Sequence, residues 1–378
     1  MIRLASVIGT YENDLLTQYH HKLSFVHLRA LSAMKKCRTQ MSLKMQVQCQ
    51  DCDHQILIPH SCGHRHCPHC QHHESQQWLD NQIRKQLPAP YFMVTFTLPA
   101  EFRPLVWAHQ TIIYELLMRC AWETVRTFSQ NDQKLQGIPG ATAVLHTNTR
   151  RQDYHPHVHL VMPAVAIDRK QKRFRIKRSP GTKRAKQHEK TKGGYLFNED
   201  ALAIVFRAKI LAGIEAAGLK LPCRYPKEWV VHSKSVGTGE KALIYLGCYL
   251  YRGVIREKDI LSYGNGQVCF RYRNADTGKL ERRTVSGAEF LWLIIQHVLP
   301  KGFRRARNFG FLHPNSKRMI HLLHLLLKFA PNLSLVKIKE RPPILCPCCG
   351  GVMKIVQTRL CPSGSEQIPI PFAVQGVH

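Results

Sequence analysis

Two Cys-x2-Cys pairs, Cys49/Cys52 and Cys67/Cys70, stand fourteen residues apart near the start of this 378-residue chain. Each pair sets two thiolates on a tight turn, and two such turns present four thiolates to one tetrahedral zinc. The spacing predicts a small module held by structural Zn²⁺ on Cys49, Cys52, Cys67 and Cys70, with Cys62 or His66 as alternates. A module this small builds little core of its own, so the ion supplies folding energy. Five of the fourteen cysteines fall within 49–70 and four more within 346–361. Cys346/Cys349 is a further pair with Cys361 nearby, but no fourth ligand stands beside it, which leaves a second zinc open. Cys37, Cys120, Cys223, Cys248 and Cys269 are scattered and read as small buried side chains.

Charge constrains the partner. Lys and Arg total 55 against 25 Asp and Glu, a formal net charge of +30. Self-repulsion of that size opposes compaction unless a polyanion is present, which argues against an ordinary metabolic enzyme. A hydrophobic content of 44% argues equally against global disorder. Residues 1–16 lack a basic start followed by an apolar run. The longest apolar stretches, 290–299 and 322–330, fall short of the roughly 20 residues that span a bilayer. The expected partner is therefore nucleic acid, not a membrane.

Periodicity predicts helices in 1–48, 74–86, 105–128, 196–219, 241–254 and 288–299. Strands are predicted at 91–98, 141–147, 157–162 and 229–233, with a hairpin formed by 268–273 and 280–285. Strands and helices mix without regular βαβ repetition. The fold class read from this order is α+β, with a largely antiparallel sheet between metal-binding ends. Three domains are expected: a helical and zinc-binding part (1–88), a central part (89–312), and a basic C-terminal part (313–378).

Two motifs carry chemistry. In the segment 154–162 (YHPHVHLVM), His157 and His159 lie two apart on a strand and so share one face. Two imidazoles there are half of a site for a divalent metal. His146, on the preceding strand, is the candidate third ligand. The plainer reading is a partly exposed strand carrying polar residues. In the helix 241–252, Tyr245 and Tyr249 are at i and i+4 on one face, and Arg252 lies near it. A tyrosine hydroxyl can attack a phosphodiester and form a covalent phosphotyrosine. Read alone, such tyrosines are more often core or surface aromatics.

The order of a zinc cluster, HPHVH, YLGCYLYR and LPKGFRRARNFG resembles the rolling-circle insertion-sequence transposases of the IS91 family, within the HUH (His-hydrophobic-His) endonuclease superfamily. The resemblance covers most of the chain. It implies an antiparallel-sheet HUH nuclease domain in 89–312, with His157 and His159 as catalytic metal ligands for Mg²⁺ or Mn²⁺. It implies Tyr249 and Tyr245 as the two nucleophiles. The implied activity is nicking and joining of single-stranded DNA at transposon ends through a 5′-phosphotyrosine. A replication initiator or relaxase with the same chemistry, or a catalytically decayed zinc-dependent DNA-binding protein, is the alternative. The implied location is the bacterial cytoplasm, in association with the nucleoid.

The basic residues are clustered. Residues 169–192 hold twelve Lys or Arg and one acidic residue, Glu189, and read as a basic insertion that follows phosphates. Residues 290–339 contain no Asp or Glu and nine Lys or Arg. Within them 301–311 (KGFRRARNFGF) interleaves cations with aromatics, a pattern suited to single-stranded DNA. Lys301, Arg304, Arg305, Arg307 and Arg252 are the DNA-binding candidates. The plainer reading is a connection that buries Phe303 and Phe309.

Overall fold

The computed structural model describes residues 2–70, 72–168, 173–178, 196–251, 253–274, 277–333 and 343–361. In chain order the elements are α1 (Leu4–Tyr19), α2 (Phe25–Lys36), β1 (Lys44–Cys49), β2 (Gln55–Pro59), α3 (His72–Ile83), β3 (Tyr91–Thr97), α4 (Arg103–Ala108) and α5 (Gln110–Asn131). There follow β4 (Ile138–Asn148), β5 (Tyr154–Pro163), β6 (Val165–Asp168), β7 (Arg173–Ile176), α6 (Glu199–Ala216), β8 (Val231–Ser235) and α7 (Glu240–Tyr251). The last are β9 (Ile260–Gly264), β10 (Gln267–Arg273), β11 (Leu280–Ser286), α8 (Gly287–Ile295), β12 (Ala306–Gly310), α9 (Lys317–Leu326), β13 (Ile344–Leu345) and β14 (Val352–Leu360). The α+β class expected from the sequence is what the fold is.

The main sheet runs in the order β7-β6-β4-β5-β3-β8, with β12 also paired to β4, and its ladders are antiparallel. Strand alternation divides it into two apolar faces. Ala141, Ala143 and Leu145 of β4, Val158 and Leu160 of β5, and Val94 and Phe96 of β3 enter a core built with α5 and α6. Val144, Val161 and Tyr91 face the other way, against Leu243, Leu246 and Leu250 of α7 and Ile83 of α3. By the same parity His146, His157 and His159 lie on the α7 face. Register puts His146 opposite His157. The proline at 156 does not end the strand. The pairing shifts between His146 and Asn148, so an irregularity in the ladder accommodates it.

The sequence expectation departs from the structure over 1–48. The predicted helix over 1–48 is two helices and a strand. The segment 301–311, read as a DNA-binding motif, supplies β12, whose backbone fills the edge of β4. Elements from both chain ends pack against other parts of the fold. Helices α1 and α2 pack with α8 and the three-stranded sheet β11-β10-β9, burying Leu4, Ile8, Leu31, Phe270 and Phe290 together. The fit is close enough that a Cβ on Gly287 would lie 2.2 Å from the Tyr11 ring. The strands β13 and β14 join β1 and β2 in a four-stranded sheet, order β13-β14-β1-β2. No helix among the described residues is long and apolar enough to cross a membrane.

Candidate active site and cysteine clusters

The three histidines converge. One ring nitrogen from each of His146, His157 and His159 lies within 4.8 Å of the others. His157 Nδ1 donates to the carbonyl of His155 (2.6 Å). A carbonyl only accepts, so the proton is on Nδ1 and Nε2 keeps its lone pair. His159 Nδ1 bonds Thr95 Oγ1 at 2.9 Å; when the ring donates, its Nε2 is likewise free. His146 is buried, and its Nε2 has no hydrogen-bond partner among the described residues. Burial pushes His157 down to about 4 and His159 to about 3, and holds His146 well below its ordinary value. Three neutral imidazoles, two oriented by second partners and one with an unsatisfied buried nitrogen, fit a divalent metal. His155 stands outside the group, where its Nδ1 accepts from Arg103 (3.0 Å).

Helix α7 carries Tyr249 onto this cluster. Gly247 permits the close approach of α7 to α3, because a Cβ there would lie 3.2 Å from the Trp78 ring. The Tyr249 ring stacks on His146, with centroids 3.3 Å apart and planes 8° apart. The Arg305 guanidinium lies 4.4 Å from the same ring centre, and with His146 on one face it takes the other. The Tyr249 hydroxyl donates to Asn148 Oδ1 and accepts from the Thr147 amide (3.0 Å). Tyr245, one turn earlier, is half exposed, 5.9 Å from His146 and 6.1 Å from His159 between ring centres. The residues that fix Tyr249 and His159 (Asn148, Thr147 and Thr95) escaped the sequence reading. Strand parity and a paired register would have found Thr95, which faces His159.

A family model described as "Putative transposase" matches residues 140–319, and one described as "Transposase zinc-binding domain" matches residues 7–98. The chain is similar to "Putative transposase y4qJ" of Sinorhizobium fredii, 33% identical over 320 residues, 78% of this chain and 76% of that one. The chain belongs to the IS91 family of transposases. The transposase is also similar to "Transposase for insertion sequence element IS801" of Pseudomonas savastanoi pv. phaseolicola, 28% identical over 294 residues, 76% of this chain and 70% of that one. Among solved structures, the conjugative relaxase TrwC in complex with mutant OriT DNA overlaps 38% of the transposase and 49% of its own chain. Its 18% identity and TM-score of 0.25 carry no argument about this fold.

The cysteines of the transposase pair differently from their order in the chain. Cys67 and Cys70 meet Cys62 and Cys37, not Cys49 and Cys52. Sulfur separations are 3.6 Å for Cys67–Cys37, 3.7 Å for Cys62–Cys70 and 3.8 Å for Cys37–Cys70. Cys49 and Cys52 instead meet Cys346 and Cys349. A single tetrad of Cys49, Cys52, Cys67 and Cys70 is therefore corrected. Each Cys-x2-Cys pair stays together, but one sits on the β1–β2 hairpin and the other in the loop before α3, and they meet different partners. Cys37, read as an isolated buried thiol, completes the inner tetrad. His66 turns away from it and is buried, its Nε2 accepting from the Leu299 amide (3.3 Å).

The basic candidates separate as well. Lys301 and Arg304 are exposed, whereas Arg305 is engaged with Tyr249 and donates through Nε to the Leu145 carbonyl (3.1 Å). Arg307 points to the opposite face of the sheet, where it forms a bidentate pair with Glu115 of α5. Phe309 stacks on Trp122 on that same side (5.1 Å), and Phe303 is buried. Arg307 and Phe309, two apart on β12, share the α5 face, whereas Arg305 stands just before the strand and turns to Tyr249, so the cations of 301–311 do not form one surface. Arg252 lies outside the described residues, as does most of 169–192; within that segment Lys177 pairs with Asp132.

Proposed function

We propose that this transposase nicks and rejoins single-stranded DNA at the ends of its element, with Tyr249 as the nucleophile. The observation that carries this reading is the Tyr249 ring, stacked at 3.3 Å on a histidine of a three-imidazole cluster. In the first step the Tyr249 oxygen forms a bond to phosphorus, the bond from phosphorus to the 3′-oxygen breaks, and that oxygen takes up a proton. The products are a 5′-phosphotyrosine and a free 3′-hydroxyl, and the reverse step with a new 3′-hydroxyl joins strands. Asn148 accepts the hydroxyl hydrogen but is not a base, so it aims the nucleophile and the proton leaves to water. The Thr147 amide is a fixed donor on the oxygen where charge develops, and Arg305 lies over the ring. His146, His157 and His159 would hold Mg²⁺ or Mn²⁺, which when bound polarises the phosphoryl oxygens. Tyr245, half exposed on the same helix face, is suited to a second transfer.

Lys301 and Arg304, with the basic segment 169–192, would follow the DNA backbone. Cys37, Cys62, Cys67 and Cys70 would hold the structural Zn²⁺. Their sulfur spacings suit a tetrahedral site, in which a Zn–S distance of about 2.3 Å sets sulfurs ~3.8 Å apart. The test is incubation of the purified protein with single-stranded terminal DNA and Mg²⁺ or Mn²⁺. A covalent protein–DNA adduct is expected for the wild type and none for Tyr249→Phe. An undiminished adduct in Tyr249→Phe assigns the chemistry to another residue.

A further inference from the structure

The outer cysteine tetrad brings together residues about 300 positions apart. Cys49 ends β1 and Cys52 sits in the turn to β2; Cys346 follows β13 and Cys349 sits in the turn to β14. The Sγ separations are 3.4 Å for Cys49–Cys349, 3.4 Å for Cys52–Cys349 and 3.7 Å for Cys52–Cys346. All four lie within 4.8 Å of one another. A disulfide needs about 2.05 Å, so none of these pairs is bridged. They approach the ~3.8 Å edge of a zinc–thiolate tetrahedron.

A second observation is independent of the sulfur positions. The two turns repeat one local geometry. The Cys49 amide donates to the carbonyl of His54 and the Cys346 amide to that of Gly351, five residues on in both cases and both at 2.8 Å. The residue after the second cysteine has positive φ in each: Asp53 at 55° and Gly350 at 74°. Turn amides donate onto the sulfurs, from Asp51 to Cys49, Cys348 to Cys346 and Gly351 to Cys349, each 3.4 Å. Such donors offset the charge of a thiolate and add nothing useful to a neutral thiol. The Asp51 side chain packs onto Gly351 across the two turns, where a Cβ would lie 1.9 Å from its Oδ2. Beneath them Val47 and Met353 form a small buried floor.

We propose that Cys49, Cys52, Cys346 and Cys349 bind a second zinc ion, which fastens the C-terminal strands to the N-terminal hairpin as one split zinc ribbon. Cys346 and Cys349 lie beyond both matched spans, 7–98 and 140–319, so neither family model accounts for this site. The ion closes a circuit through almost the whole chain. It would sit at the end of β1, the strand flanked by β2 and β14.

The test is the metal content of the full chain by elemental analysis, with thiol alkylation read by mass spectrometry. Two zinc ions per chain are expected for the wild type and one for Cys346→Ser/Cys349→Ser. Cys67→Ser/Cys70→Ser should also lose one, and there the ion that remains is the outer one. Cys52 and Cys349 are exposed, yet they should resist alkylation until a chelator is added. Cys348→Ser and Cys361→Ser, outside the tetrad, should keep both ions. A wild type with one zinc that survives Cys346→Ser/Cys349→Ser overturns the outer site. A single zinc that this variant removes supports the outer site and overturns the inner one instead. Iron in place of zinc, or equal alkylation of Cys52 and Cys349 with and without chelator, also overturns the proposal.

Discussion

The histidine cluster and the inner cysteine tetrad both gather ligand atoms, but different forces hold them. His146, His157 and His159 stand on paired strands whose backbone register already sets them side by side. Their separation costs nothing further, because the ladder exists whether or not a cation is present. The tetrad draws Cys37 from the end of α2 and Cys62, Cys67 and Cys70 from a loop. Turn bonds hold that loop, from Cys67 to the His64 carbonyl (3.0 Å) and Cys70 to the Cys67 carbonyl (3.3 Å). Hydrogen bonds from Cys37, Cys62 and Cys67 push Cys70 far down, and the same neighbours' bonding pushes Cys67 far up. Four thiolates at such distances repel unless a cation sits among them. The histidine site is preorganised by the fold, whereas the tetrad organises the fold around it.

The largest effect should follow from this. Cys67→Ser/Cys70→Ser removes an ion of a type whose binding in zinc-finger peptides contributes about 10–16 kcal/mol, as much as a domain's entire net stability of about 5–15 kcal/mol. Helices α1, α2 and α8 share their buried cluster with Cys37, Cys67 and Cys70. Protease should therefore cut the N-terminal helices rapidly in that variant. His157→Ala/His159→Ala should show the reverse pattern. Nicking falls roughly 10²–10⁴-fold, the several kcal/mol that a metal supplies to a developing charge. Its urea midpoint should fall far less than that of the cysteine variant, since the strand ladder remains and only the Nδ1 bonds and packing of the two rings are lost. Equal losses of fold in both variants would break the contrast.

How much of this was legible follows from the range of each interaction. The shared face of His157 and His159 and that of Tyr245 and Tyr249 are consequences of local periodicity, and sequence reads them directly. His146 needed one further guess, that consecutive strands pair. The cysteine pairs are also local, which is why each pair stays intact. Which pairs share a site is decided by contacts across about 300 residues, such as Cys49 with Cys349, and spacing is silent on those. The composition of segment 301–311 carries two signals. Cations beside aromatics suit DNA, but Phe303, Arg307 and Phe309 instead fill positions around a strand that packs on α5. Arg305 is a DNA-binding candidate by composition and lies over Tyr249, because it stands just before β12, where the Leu145 amide and carbonyl hold it.

Acid should act through the buried histidines, His27 on the helical side among them. His27 of α2 is buried against Trp107, and its Nδ1 accepts from the Ser24 amide (3.0 Å), which requires the neutral ring. Burial lowers it from 6.5 to about 4. Below pH 6.5 the unfolded chain takes up a proton that the folded chain resists. The stabilisation is complete above 6.5 and is lost as pH falls towards 4. A gap of that size corresponds to roughly 3 kcal/mol. His297, buried and lowered to about 4 by the same cause, adds in the same sense. Urea midpoints at pH 7.5 and 5 should therefore separate, and His27→Gln should narrow the separation. An unchanged separation would place the acid sensitivity in the other buried histidines, His146, His157 and His159 among them, which burial also lowers.

The smallest effect tests preorganisation itself. Thr95 Oγ1 bonds His159 Nδ1 at 2.9 Å and is the polar partner that holds this ring. Thr95→Val keeps the shape and the β-branched strand residue but removes the hydroxyl. Partners of this kind typically contribute 10–100-fold in metal affinity. The Mn²⁺ concentration for half-maximal nicking should rise by about that factor, while the rate at saturating Mn²⁺ and the urea midpoint change little. Thr95→Ser should restore the lower requirement. If Thr95→Val needs no more Mn²⁺ than the wild type, register and packing alone orient His159, and the ladder from β4 to β3 is sufficient to build the site.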